Sequence, residues 1–351
     1  IIRFPMECNS KFLLIVFHQA LECLRLEPDS TAMIRTILTI QKIAFVEIVR
    51  HPAYYLLTLA TAFFIFISQF INLFSFHSEI NIIRELGIAT MVLWGVIACI
   101  LFTYRSVYSE LENRSAMSLL SKPVPRSAYI LGKYLGLLRS LAIGLVLLTL
   151  VLILALWMHE GIPRLERTVT KASSAVMHLF FHQTPGESIE GPVKSLGGTA
   201  VGAALTNPTS PGEIVWTYFF DDFMARNVWP MLVGAFLAFL HTAVVASFAL
   251  GLATFAPPVV VATGTLSFYL IGHLTDKLFD VMSTLGTFLA IVGQLMRSLL
   301  PNLEHFNPAE HLSQGEPLSA IYIALAVAYG ILYASVILGM TTFAFSRREL
   351  P

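Results

Sequence analysis

Five stretches of this 351-residue sequence contain no Asp, Glu, Lys or Arg: residues 51–78, 86–104, 140–159, 227–275 and 317–346. They run to 28, 19, 20, 49 and 30 residues. A helix, which satisfies its own backbone, needs about 20 predominantly apolar residues to cross ~30 Å of hydrocarbon. Four stretches therefore hold one span each and the 49-residue stretch holds two, which predicts an all-α membrane protein with six transmembrane helices. Only 13% of the residues are charged, about half the share usual in soluble domains. That share argues against a simple soluble enzyme.

The 22 basic and 22 acidic residues balance, which argues against a nucleic-acid partner, since neutralising phosphates needs a basic surplus. Their placement says more than their sum. With six spans, segments 33–50, 105–139 and 347–351 share one side and carry 11 Lys/Arg in 58 residues. The opposite side, 79–85, 160–226 and 276–316, carries 8 in about twice that length. Basic loops stay cytoplasmic, so both termini are expected inside, in a multi-pass protein of the inner (plasma) membrane. Cys8, Cys23 and Cys99 have no CxxC spacing and indicate neither a disulfide framework nor a zinc site.

Residues 1–32 fit nothing that follows. Lys11–Leu24 is too short and polar to span, so these residues are expected to be an extra segment outside the native fold, with Met33 as the start; a peripheral helix is the alternative. From Met33 to His51, Ile34, Ile37, Leu38, Phe45 and Ile48 form one helical stripe with Arg35, Thr39, Lys42 and Arg50 away from it. This spacing predicts a helix lying in the membrane interface. The permease-like domain, 33–351, then places its spans at about 54–76, 86–104, 137–158, 229–255, 259–275 and 318–345. Residues 159–227 form an outer loop, and Val281–Leu300 is expected to be a re-entrant helical segment, because a seventh span would carry Arg347 and Arg348 outside.

No catalytic constellation emerges. His159-Glu160 lacks the second His of HExxH, and neither GxSxG nor the phosphate-binding GxxxxGK[ST] loop occurs. His178 and His182 stand at i and i+4, but no Cys or carboxylate nearby completes a metal site. Gln69, Asn72, His241 and His273 are the polar groups within spans, and Gln69, Asn72 and His241 are read as interhelical hydrogen-bond formers in preference to a proton or substrate path.

The segment after the second span is more informative. From Tyr108 it reads YSELENRSAMSLLSKPVPRSAYILGKYLG: a carboxylate pair, a short amphipathic helix, a Pro-x-Pro-Arg stop and a Gly-Lys at the start of the third span. Such an element, held against the membrane with its charges facing the cytosol, suits docking on another protein.

Glu110–Gly136 resembles the segment between the second and third spans of ABC-2-type exporter permeases. There an acidic helix precedes Leu-Leu-x-Lys-Pro-Val-x-Arg and then Gly-Lys, matched here by Leu119, Leu120, Lys122, Pro123, Val124 and Arg126, with Gly132 and Lys133. Phe45, Glu47, Arg50 and Pro52 resemble the amphipathic first helix of that class. Leu300–Asn307 is similar to the outer Pro-(Asp/Asn)-Leu-x-x-Phe-(Asp/Asn) element in the subgroup that includes the copper-maturation permease of nitrous-oxide reductase. Phe345–Leu350 is similar to its Arg-Arg-(Asp/Glu)-Leu ending. The resemblance covers Met33–Pro351; the long 159–227 loop supplies no family motif.

The resemblance implies a permease subunit of an ATP-driven exporter, paired with a second permease copy and with a separate cytoplasmic ATPase. That ATPase would bind ATP and Mg, and this chain would bind no cofactor or metal and catalyse nothing. It further implies ATPase coupling by Glu110, Glu112, Leu119, Leu120, Lys122, Pro123, Arg126, Gly132 and Lys133. Phe45, Glu47 and Arg50 would serve the interfacial helix, and Pro301, Asn302, Leu303, Phe306 and Asn307 an outer gate. The alternatives are a gradient-driven secondary transporter, which the lack of a mid-span carboxylate disfavours, and an intramembrane enzyme, for which no nucleophile–base or metal set exists.

Overall fold

The computed structural model describes residues 30–71, 79–108, 125–158, 228–285, 301–306 and 319–347. The described residues contain seven long helices: α1 (Ser30–Val49), α2 (Pro52–Ile71), α3 (Glu79–Thr103), α4 (Arg126–Leu156), α5 (Trp229–Ala253), α6 (Pro258–Leu285) and α7 (Ala320–Ser346). A π-helical turn, Tyr104–Tyr108, extends α3, and a 3-10 turn, Leu303–Phe306, precedes α7. No strand occurs among the described residues.

Proline sets most of the boundaries, because it can start a helix but cannot continue one. Pro52 ends α1 and opens α2, where the His51 Nδ1 accepts from the Ala53 N–H at 3.1 Å. Pro125 precedes α4, Pro230 lies in the first turn of α5, and Pro257-Pro258 separates α5 from α6. At α7 a serine does this work: the Ser319 hydroxyl accepts from the Tyr322 N–H at 3.3 Å.

Five helical segments are long and apolar enough to cross a membrane: Ile83–Val107, Arg126–Leu156, Trp229–Ala253, Pro258–Thr275 and Ala320–Ser346. The pair Met33–Val49 and Pro52–Ser68, bent by 63°, makes a sixth candidate. The chain is an all-α membrane protein. Three elements run well past their sequence-based bounds: α3 starts at Glu79 and not near 86, and α4 and α6 go further still. α4 starts at Arg126 and not near 137; its 31 residues reach about 46 Å, so its first turns project beyond a ~30 Å core and keep Lys133 and Arg139 near the interface. α6 continues through Asp276, Lys277 and Asp280 to Leu285, so the expected re-entrant segment begins inside it; residues 286–300 lie outside the described set.

α5 is the central helix, packed against α3, α4, α6 and α7, while α1 lies along α4. The core gathers Tyr54, Trp94, Phe102, Tyr129, Leu141 and Phe345. Small residues let the helices approach this closely. Gly132, Gly136, Ser140 and Gly144 recur every fourth position of α4 and receive different neighbours in turn. A Cβ on Gly132 would come within 2.7 Å of the Ile40 side chain, and one on Gly136 within 2.6 Å of the Ala44 Cβ. The Ser140 carbonyl accepts the Tyr54 hydroxyl at 3.0 Å, and the Trp94 indole fills the notch at Gly144.

Candidate functional site

The site is built where α1, the end of α3, the start of α4 and the end of α7 converge. At its centre is Lys133, whose side chain is 3% exposed. A buried ammonium needs partners, and it has an ion pair with Glu47 Oε2 at 3.6 Å and a hydrogen bond to Ser106 Oγ at 3.2 Å. The Tyr129 ring lies 5.9 Å from its Nζ. Glu47, on α1, remains 39% exposed, so the pair is dry at the lysine and wet at the carboxylate. Lys133 thus ties together three elements: α1 through Glu47, the π-helical turn after α3 through Ser106, and α4 itself.

Arg126 makes a second tie. Its Nη1 donates to the carbonyls of Phe345 and Ser346, both at 3.0 Å, and its guanidinium carbon lies 5.8 Å from the Phe345 ring. These are carbonyls of the last turn of α7, at the negative end of the helix dipole, where the Phe345 carbonyl also accepts from the Arg347 N–H. Tyr129, one turn on, stacks on Phe345 at 6.3 Å. Phe45, on α1, receives the Arg139 guanidinium at 4.6 Å. Arg50 is exposed at the end of α1.

The structure therefore brings Phe45, Glu47, Gly132 and Lys133 of the two resemblance motifs into one α1–α4 joint, with Arg126 beside them. Glu110, Glu112, Leu119, Leu120, Lys122 and Pro123 lie outside the described residues. Their segment, 109–124, connects the π-helical turn bearing Ser106 to Pro125, so it enters and leaves at this joint. Sequence reasoning missed Ser106, Tyr129 and Arg139, and singled out Phe345 only as part of the Phe345–Leu350 motif. The small-residue spacing from Gly132 to Gly144 was a usable signal for the joint; the partners of Arg126 and Lys133 left none.

At the other end of the bundle, Pro301, Asn302, Leu303 and Phe306 are all buried; Asn307 lies outside the described residues. Leu303 and Phe306 pack with Leu237, Leu240, Val244 and Phe268. Leu303 also meets Gly272 of α6, and Phe306 meets Gly330 of α7. The Asn302 N–H donates to the Tyr329 hydroxyl at 2.9 Å, the Asn302 Oδ1 accepts from the Glu304 N–H at 3.0 Å, and the Tyr322 hydroxyl donates to the His305 carbonyl at 2.7 Å. The turn is thus seated among α5, α6 and α7. His241 was expected to bond between helices; its ring instead packs among His273, Tyr269 and Phe306 at 5.2, 5.6 and 6.3 Å, and its Nε2 has no hydrogen-bond partner among the described residues. Gln69 has no described side chain and Asn72 lies outside the described residues.

Among the described residues no group of three or more His, Cys, Asp or Glu could hold a metal ion. No curated protein sequence matches the chain. A family model described as ABC-2 family transporter protein matches residues 27–350, nearly the whole length. The chain belongs to the ABC-2 transporter family, as a multi-pass membrane component.

Proposed function

We propose that this chain is the permease subunit of an ATP-driven export system, coupled to a separate cytoplasmic ATPase that carries ATP and Mg. Two copies, or one copy and a sister permease, would form the membrane unit, with both termini in the cytosol. The observation that carries this reading is the Lys133 junction. Residues 109–124 follow the π-helical turn bearing Ser106 and precede Pro125 in the sequence, and Lys133 joins that turn to α1 through Glu47. A partner pushing on the segment would move α1, α3 and α4 together. Arg126 extends the same motion to the end of α7. Packed helices with such discrete contacts shift between alternative arrangements more readily than they deform. On this reading Pro301–Asn307, whose described residues Pro301–Phe306 are gripped by α5, α6 and α7, would respond at the far end as an outer gate.

Purification of the tagged chain from its native host, with and without Glu110→Lys and Glu112→Lys, tests the coupling. The parent should bring down an ATPase whose turnover rises in its presence. The double variant should insert normally and lose most of that ATPase, since exposed ion pairs, worth ~0–1 kcal/mol each, act jointly. Equal recovery from both proteins would sink the docking role of the segment.

A further inference from the structure

The side of α1 turned away from α4 has a composition that the bundle does not use. At 100° per residue, Arg35, Thr39, Lys42 and Arg50 fall within an arc of roughly 80°, and all four are exposed. Ile34 and Leu38 flank this arc on one edge and Ile43 on the other, each more than half exposed. Glu47 is the only acidic residue of α1, and it is engaged with Lys133. No described acidic residue pairs with Arg35, Lys42 or Arg50. A further exposed cation, Arg139, lies against Phe45 on the edge that carries Leu38.

The orientation of the helix gives this pattern a meaning. With α2 crossing a bilayer upright, the 63° bend lays α1 within about 30° of the membrane plane. Its cations then run along the headgroup layer, their stems reaching outward from a helix whose flanking aliphatic residues meet the acyl boundary. We infer that the outer face of α1 is a binding surface for anionic phospholipid, with Arg35, Lys42 and Arg50 holding headgroup phosphates and Ile34, Leu38 and Ile43 resting on the chains. Clustered basic residues on an amphipathic helix gain affinity from each added charge at an anionic surface. An acidic protein surface would satisfy the cations but leave three aliphatic side chains in water. The inference rests on the membrane placement of the chain and not on its coupling to an ATPase.

The test uses the full chain in neutral detergent, with phosphatidylglycerol or phosphatidylcholine added at equal concentration, and reads the melting midpoint and the lipid retained in native mass spectrometry. Phosphatidylglycerol should raise the midpoint and be retained in preference. The set Arg35→Gln, Lys42→Gln and Arg50→Gln should reduce preferential retention by about tenfold or more. The charge-keeping set Arg35→Lys, Lys42→Arg and Arg50→Lys should preserve most of it. Thr39→Lys, which adds a cation to the same arc, should increase it and reads the surface even if the neutral set fails to fold. Equal retention of both lipids by the parent would overturn the inference. So would full preference in the neutral set, or an equal effect of soluble glycerol phosphate, which would indicate a free-phosphate site. Loss of a co-purified ATPase from the neutral set with lipid preference intact would assign the face to a protein partner instead.

Discussion

Lys133 and Glu47 differ in surroundings, and removing them should not cost the same. Glu47→Leu leaves a buried ammonium without its carboxylate, with the Ser106 hydroxyl still at hydrogen-bond distance, whereas Lys133→Met leaves a carboxylate already in reach of water. Allowing for the exposure of Glu47, Glu47→Leu should destabilise by about 1–3 kcal/mol and Lys133→Met by less. The double variant should recover part of the loss. Melting midpoints of the four proteins in one detergent check this, and a smaller loss from Glu47→Leu than from Lys133→Met would mean the pair is not what holds Lys133 in place. Both residues stood out in the sequence, each within a different motif, but nothing there joined them. Pairing depends on how α1 lies across α4, which is a property of packing and leaves no local trace. The same holds for Arg126, whose carbonyl partners have no side-chain identity to read.

The helices themselves were largely legible, because uncharged runs and prolines are strong local signals. Their ends were less so: Lys133 and Arg139 masked the true start of α4, since charge counting stops a span where the bundle in fact holds the charge, Lys133 against Glu47 and Ser106 and Arg139 over the Phe45 ring. The α1–α4 joint turns on two glycines with different tolerance from others in the bundle. At Gly136 a new Cβ would meet the Ala44 Cβ at 2.6 Å and the Gln41 carbonyl at 3.0 Å, neither of which can swing aside. At Gly264 it would meet the tip of Leu252 at 2.5 Å, which can. Gly136→Val is therefore expected to cost about 1–3 kcal/mol and to loosen α1. Gly264→Ala should be close to neutral. Limited proteolysis near the α1–α2 bend, run beside thermal melting, distinguishes the two. Similar melting for both variants would show that α1 rides on α4 without close fit.

For the molecule as a whole, orientation decides which end of the bundle meets the cytosol. Asn302 is buried with its amide engaged, so Glu304, in the same turn and partly exposed, is the better reporter of the far end. Exposed Ser346 reports the end where α1 and α4 meet. In a background without Cys8, Cys23 and Cys99, Ser346→Cys should react with an impermeant thiol reagent only from the cytosol, and Glu304→Cys only from outside. The reverse pattern would invert the bundle and end the exporter reading. Charge bias along the chain gives an expected topology but says nothing of how Leu303 and Phe306 are seated, because an apolar pair in a short turn reads the same whether it lines a mouth or fills a core. The grip of Arg126 on the last two carbonyls of α7 bears on how the protein is made. Translation delivers α4 long before α7, so the start of α4 has no α7 terminus to hold until Phe345 and Ser346 leave the ribosome. The bundle can be completed only by a chain read through Ser346. Copies stopped before Phe345 should insert, lack this closure, and be removed by membrane proteases faster than full-length ones, as pulse-chase turnover would show.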